Sequence, residues 1–325
     1  RVCNGSKFGV IVAQHGPGTE NAYPGIAQAY AENIPVLMLP GGEALARQHT
    51  SPMFSAVDNY RHVTKWVAQV NTAARVPDLM RRAFHAMRTG KPGPVVIEVP
   101  RDIWDADFSG DIHYKPPTPY RSAPDPADVS RAAEVLVAAK SLVILAGAGV
   151  KNAEASDHLV RLAALLQAPV MTTNPGKSAF PENHDLSLGA ALSRSMPEPA
   201  YRALNDADCV FAIGSSLTLT SFGPNVPAGK SIIHATNDPG DINKDYVVAQ
   251  AVLGDAALTL DALIEEVEDR LGDEVRADRS ASVRAAKEAW LHSWMGELAS
   301  DEVPINPYRV IWDLMGAVNR DNTIV

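Results

Sequence analysis

Two turns in this chain hold residues whose types and spacing could do chemistry. The first is Gln14-His15-Gly16-Pro17-Gly18-Thr19-Glu20-Asn21. An apolar run, Val10 to Ala13, reads as a buried strand and stops at Gln14, and Thr19-Glu20-Asn21 opens an Ala-rich helix expected to run to about Glu32. A strand, a glycine turn and a helix start can bind a small polar or anionic ligand. Glycine lets the backbone come close, and the first N–H groups of a helix have no partner within it. A tight turn with no ligand accounts for the same pattern equally well. His15 could face a ligand or be a partly exposed loop histidine. The second turn is Gly147-Ala148-Gly149, which follows the apolar run Ser141 to Ala146. It matches a phosphate-binding turn only in part, because GxGxxG needs glycine at 152 and the residue there is Asn152.

Other chemistries find little support. The nine histidines are scattered, and none has the spacing of a metal site. Cys3 and Cys209 form no CxxC and no disulfide framework, which fits a reducing cytoplasm. No GxSxG elbow is present. A net charge of −9 argues against sequence-independent nucleic-acid binding. No apolar run of transmembrane length and no signal-peptide pattern is read in these 325 residues, so neither a membrane span nor a secretory route is expected. With 46% hydrophobic and 21% charged residues over 325 positions, the chain reads as globular with about two domains.

The elements that would position these turns alternate between strand and helix, the mark of an α/β fold. Residues 8–12, 34–39 and 94–99 read as buried parallel strands, with helices over 20–32 and 77–89 between them. Residues 63–70 read as a further strand or strand-plus-turn. Five prolines between Pro116 and Pro126 mark a stiff crossing. A second unit follows, with helices at 126–139, 153–166, 198–205 and 256–270 and strands at 141–146, 169–173, 209–213, 231–235 and 248–253. Its ligand crevice is expected at the C-terminal strand ends. Residues 271–303 read as a connecting helix, and Pro304 to Met315 as another helix start. The fold expected is therefore α/β with two consecutive parallel-sheet domains, the second Rossmann-like. The boundaries read as 1–108 for the first domain, 109–124 for a linker, 125–270 for the central domain, 271–303 for a linker helix and 304–325 for the start of a third unit. The chain opens on Arg1-Val-Cys3 and stops on Asn322-Thr-Ile-Val325, which reads as the first strand of a new unit, so it is expected to be a piece of something longer.

Gly16-Pro-Gly-x-x-Asn21, Gly25-Ile-Ala-x-Ala29-Tyr30, Ile34-Pro35, Thr64-Lys-Trp66 and Gly90 to Ile103 together resemble the pyrimidine-binding domain of thiamine-diphosphate-dependent enzymes, with the acetolactate synthase group closest. Residues 125–270 are similar to that family's central domain through Gly147-Ala-Gly149, Pro169 to Thr173, Pro181 to Gly189, Ala207 to Gly214 and Gly254-Asp255-Ala256. Residues 304–325 resemble the entry to its diphosphate-binding domain. In that family a glutamate protonates the aminopyrimidine of the cofactor, the ring's imino group deprotonates the thiazolium, and the resulting ylid attacks a 2-oxo acid or aldehyde; the cofactor is the electron sink and the protein orients it.

The resemblance implies thiamine diphosphate and Mg²⁺ as cofactors. It places Gln14, His15, Gly16, Pro17 and Asn21 against the aminopyrimidine, and Gly147, Gly149, Thr172, Gly189, Gly214 and Asp255 at the central-domain crevice. It puts the catalytic glutamate before residue 1 and the Mg²⁺ and diphosphate ligands after residue 325, so the isolated chain is expected to be inactive. The substrate would be a 2-oxo acid, an aldehyde or an acyl-CoA compound. The assembly would be a cytoplasmic homodimer or homotetramer whose cofactor sits between subunits. Acetolactate synthases carry Phe-Gln-Glu before Thr64, where this chain has Thr50 to Asp58 without Gln-Glu. His15 replaces a small hydroxyl residue, and both departures argue against acetolactate as the product. Those enzymes also hold FAD in the central domain, with arginines after the strand at 209–213. Here Ser215 to Ser221 and Thr236 are neutral, which leaves FAD, an ADP-like group or an empty site open and favours the empty one. The alternative reading is a non-catalytic Rossmann-like nucleotide-binding module built on Gly147-Ala-Gly149.

Overall fold

The computed structural model describes residues 7–108, 110, 112–319 and 322–323. Its first sheet has four parallel strands, β1 (Gly9–Ala13), β2 (Val36–Gly42), β3 (Trp66–Gln69) and β4 (Val95–Pro100), in the order β1-β2-β4-β3. Parallel strands need helical crossovers, and α1 (Pro17–Ala31), α2 (Ala56–Tyr60) and α3 (Val76–Arg88) supply them, with the short α4 (Arg101–Trp104) after β4. β4 is buried along its whole length because both of its faces are covered. Val96 packs with Ile26 of α1 and Tyr60 of α2, whereas Val95, Ile97 and Val99 pack with Leu79, Ala83 and Met87 of α3. That split is the period-two alternation of a strand between two helical layers.

β1 differs from the sequence reading. It forms as expected, but Val10 is 56% and Val12 68% exposed, so the run is not buried. The reason is position: β1 is the sheet edge and pairs only with β2. An apolar run of strand length identifies a strand without saying how many neighbours it has.

The second sheet has six parallel strands, β5 (Leu142–Ala146), β6 (Val170–Thr172), β7 (Ser187–Ala190), β8 (Cys209–Ile213), β9 (Ser231–Thr236) and β10 (Gln250–Leu253). Their order is β10-β9-β8-β5-β6-β7, a doubly wound sheet whose winding reverses between β5 and β8. One face is covered by α5 (Pro126–Ala138), α7 (Ser156–Leu166) and α9 (Ala256–Leu271), the other by α8 (Glu198–Asp206) and Val283 of α10 (Ser280–Ser293). The helix expected over 153–166 starts later; a separate short helix, α6 (Ala148–Asn152), precedes it, and Glu154 at φ 55° turns the chain between the two. β7 was not read from the sequence. The stretch 271–303 holds α10 and α11 (Met295–Leu298) rather than one helix, and α12 (Pro307–Ala317) begins at the Asn306 cap, whose Oδ1 accepts the Tyr308 N–H at 2.9 Å.

The segment between α4 and α5 has neither helix nor strand among its described residues. The readings of Arg1 to Gly5 and of Ile324-Val325 fall outside the described residues, and Asn322 and Thr323 are not in a strand. Among the described residues no helix is long and apolar enough to cross a membrane.

Candidate functional site

The Gln14–Asn21 turn lies at the C-terminal end of the edge strand β1. Gly16 is buried at φ 69° and ψ −117°, a conformation that a side chain would oppose. Gly18 is required for a different reason, since a Cβ there would stand 2.9 Å from the Gln14 Cβ. The Thr19 N–H donates to the Gln14 carbonyl at 2.9 Å, and the Glu20 N–H to the Gly16 carbonyl at 2.9 Å. The Thr19 hydroxyl adds a second bond to the Gln14 carbonyl at 2.8 Å. Pro17, at the first helical position, has no N–H. These commitments leave little of the donor set that a phosphate would need. What the turn presents instead is the exposed side chains of Gln14, Glu20 and Asn21, with no lysine or arginine among them, and His15, whose buried Nε2 has no hydrogen-bond partner among the described residues. A flat uncharged heteroaromatic ring fits that set better than an anion.

The neighbouring strand ends extend this edge. Gly41 of β2 lies against His15, and Gly42 leaves room for Glu98 of β4, since a Cβ on Gly42 would be 2.8 Å from the Glu98 Cγ. Glu98 is 3% exposed. Its Oε1 accepts the Ala56 N–H at 3.0 Å and its Oε2 accepts the Gln69 side-chain amide at 2.8 Å, which is how a buried carboxylate is tolerated. Both residues line an open bowl of about 740 Å³, walled also by Gln48 to Val57.

The second candidate lies at the switch point of the second sheet. Gly147 and Gly149 interlock with Gly214: a Cβ on Gly147 would come within 2.2 Å of the Gly214 carbonyl oxygen. The Gly147 N–H donates to the Ile213 carbonyl at 2.8 Å, the Gly149 N–H to the Gly214 carbonyl at 2.8 Å, and the Gly214 N–H to the Ala235 carbonyl at 3.0 Å. The amides that could cradle a dinucleotide diphosphate are thus engaged with backbone, and the loop after β8 offers no arginine to replace them. The residues do not build an FAD diphosphate site. Asp255 caps α9, accepting the Ala257 N–H at 3.1 Å, with Arg121 3.7 Å away.

The crevice above these glycines is a cleft of about 550 Å³ shared with the first domain. Lys91, from the loop before β4, reaches across it to Asp241 at 2.9 Å and Asp238 at 3.2 Å. Asp241 is 5% exposed and also accepts from Lys244 at 3.0 Å. Burial alone would raise the Asp238 carboxyl, but the Gly240 N–H and Lys91 bring it below the usual carboxylate value. Behind them His234 is buried, its Nε2 2.8 Å from the Ser215 carbonyl; burial lowers its pKa against the opposing pull of that bond and of Asp241.

The structure gathers Gln14, His15, Gly16, Pro17 and Asn21 on one turn, and Gly147, Gly149, Gly214 and Asp255 around one cleft. Thr172 and Gly189 lie apart from that cleft, at the ends of β6 and β7; Thr172 is buried with an unpartnered hydroxyl among the described residues. Sequence reasoning did not single out Glu98, Tyr60, Lys91 or Asp241. Glu98 carried a signal, a lone charge inside an otherwise apolar strand, whereas the others depend on pairings that no local pattern encodes.

Two family models match the chain: "Thiamine pyrophosphate enzyme, N-terminal TPP binding domain" over residues 4–71, and "Thiamine pyrophosphate enzyme, central domain" over residues 129–263. A probable acetolactate synthase large subunit of Methanocaldococcus jannaschii is 31% identical over 98% of this chain and 55% of its own length. A glyoxylate carboligase of Escherichia coli O157:H7 is 29% identical over 97% of this chain and 54% of its own. Among solved structures, benzoylformate decarboxylase from Polynucleobacter necessarius superposes with a TM-score of 0.72 at 21% identity, over 85% of this chain and 52% of that one. The chain spans about half the length of the curated relatives it matches.

Proposed function

The chain belongs to the thiamine pyrophosphate enzyme family, and from that premise we propose that its first domain supplies the pyrimidine-facing wall of a site for C–C bond making or breaking at 2-oxo acids or related carbonyl compounds. The observation that carries this reading is the Gln14–Asn21 turn itself, a strand-end turn whose Thr19 and Glu20 amides are occupied and which displays no lysine or arginine. When bound, thiamine diphosphate supplies the electron sink for such chemistry. The protein's part is orientation. Gly16 and Pro17 fix a backbone edge for the ring to lie on, Gln14 and Asn21 offer amide donors and acceptors at its rim, and His15 lies beside them with its buried Nε2 unpartnered among the described residues. Among the described residues no group of three or more His, Cys, Asp or Glu side chains is placed to hold a metal ion, so we assign no Mg²⁺ ligand to them.

The central-domain crevice we read as a joint rather than a flavin site, because its glycine amides are engaged and Lys91 spans it. The named relatives act on different carbonyl compounds, and the stretch Thr50 to Asp58 that walls the bowl lacks the Gln-Glu expected there for acetolactate formation, so we place this chain's substrate outside that reaction. A cytoplasmic homodimer or homotetramer is the assembly we propose for the working enzyme. The test is a turnover assay of that assembled working enzyme, since the isolated chain is expected to be inactive, with thiamine diphosphate and Mg²⁺ over pyruvate, glyoxylate, benzoylformate and sulfoacetaldehyde. Cofactor-dependent consumption of one of them supports the reading. Consumption that proceeds equally without thiamine diphosphate contradicts it.

A further inference from the structure

The pyrimidine-facing turn is tied to the centre of its sheet by a chain of hydrogen bonds. Glu98 of β4 accepts the N–H of Ala56, the first residue of α2, at 3.0 Å. Four residues on, at the end of the same short helix, Tyr60 is fully buried and donates its hydroxyl to the Thr19 carbonyl at 2.5 Å. Thr19 in turn closes the turn, giving its N–H and its hydroxyl to the Gln14 carbonyl. The helix between them is five residues long, too short to be stable alone, so its place depends on these end contacts. We infer that Glu98 and Tyr60 are positioning residues, which act through α2 and Thr19 to hold Gln14, His15 and Gly16 in the geometry that receives the aminopyrimidine. The inference rests on the proposed function for its second half only; the mechanical link from Glu98 to the turn stands without it.

The chemistry suits the task. The carboxylate sits on β4, an inner strand buried along its whole length, and α2 links it to the turn at the edge strand. The Tyr60 phenol is pushed up to about 12 by burial and, to a lesser degree, by its neighbour Tyr23, so it keeps its proton and stays a donor at any working pH. Tyr23 packs against the Tyr60 ring at 5.2 Å, which lets phenylalanine occupy the same space without the hydroxyl.

Hydrogen–deuterium exchange on the 325-residue chain tests the link directly. Tyr60→Phe is expected to speed exchange at the Thr19 and Glu20 amides about fivefold, the effect of one lost hydrogen bond, and to leave β5 and β6 unchanged. Tyr30→Phe, on the exposed face of α1, is expected to change nothing. Glu98→Leu should repeat the Tyr60→Phe pattern and Glu98→Gln should restore it, because an amide can still accept from Ala56. Unchanged exchange at Thr19 and Glu20 in Tyr60→Phe would overturn the link. The second half is read by calorimetric titration with thiamine diphosphate and Mg²⁺. If the parent chain binds, Tyr60→Phe should weaken binding about fivefold, and equal affinity would refute the positioning role. If the parent chain does not bind, the same comparison is made on the KM for thiamine diphosphate of the assembled enzyme, where an equal KM in Tyr60→Phe refutes the positioning role; the exchange result decides the link in either case.

Discussion

Gly16 adopts φ 69° and ψ −117° with open space where a Cβ would point, so replacing it tests backbone conformation free of any clash. Gly16→Ala is expected to cost about 1–3 kcal/mol, the price of holding a side-chain-bearing residue in that region, read as a shift in the urea midpoint without change in slope. His234 is the residue whose charge should set the acid limb of stability. Burial holds its folded-state pKa below the ordinary 6.5, against the hydrogen bond to Ser215 and the nearby Asp241, while Lys244 and Lys91 add to the lowering. The unfolded chain therefore takes up this proton first as pH falls, and stability that is complete above 6.5 drains away as pH drops through that value toward the folded one. Melting temperature should fall between pH 7.5 and 5.5, and His234→Gln should flatten that slope. The glycine of the turn could be found from sequence because a positive-φ position advertises itself as Gly between a strand and a helix. Glu98 and Tyr60 could not be assigned, because their roles arise from partners 42 and 41 residues away.

At the scale of elements, strand and helix order was readable from apolar runs and periodicity in both sheets except at α2 and β7. Burial was not. β1 has the composition of a core strand and the position of an edge, and only the strand order β1-β2-β4-β3 distinguishes them. Short elements escaped for a related reason: β7 and α2 each hold five residues or fewer, below the length at which a period can be counted. The glycines of the second crevice were found as a possible phosphate turn, yet their contacts give a steric reason for them. Gly147→Ala would place a Cβ 2.2 Å from the Gly214 carbonyl oxygen and force β5 and β8 loops apart. A loss of about 3 kcal/mol is expected, measured by chemical denaturation. If the variant is as stable as the parent, the interlock is not what holds the crevice closed.

For the molecule as a whole, the question is what joins two sheets that each have their own core. Lys91 enters a buried acidic pocket of the other domain, where Asp241 also holds Lys244. Asp241→Ala would take from Lys244 its carboxylate partner and from Lys91 the nearer of its two, leaving Lys91 only Asp238, and about 2 kcal/mol of destabilisation is expected, less than for a wholly buried pair because Lys91 is partly solvated. The sharper sign is cooperativity: urea unfolding should separate into two steps as the first domain loosens from the second. A single unchanged transition would mean that the joint lies elsewhere. The same view bears on the cofactors. FAD should produce no saturable flavin fluorescence change with this chain, whereas thiamine diphosphate should engage the first sheet. The most direct measurement is an amide-resolved NMR titration of the chain with thiamine diphosphate and Mg²⁺ at millimolar concentration. The account predicts shifts at Gly16, Gly18 and Asn21, spreading to Gly41 and Gly42. Shifts confined to Gly147, Gly149 and Gly214, with the turn silent, would contradict it.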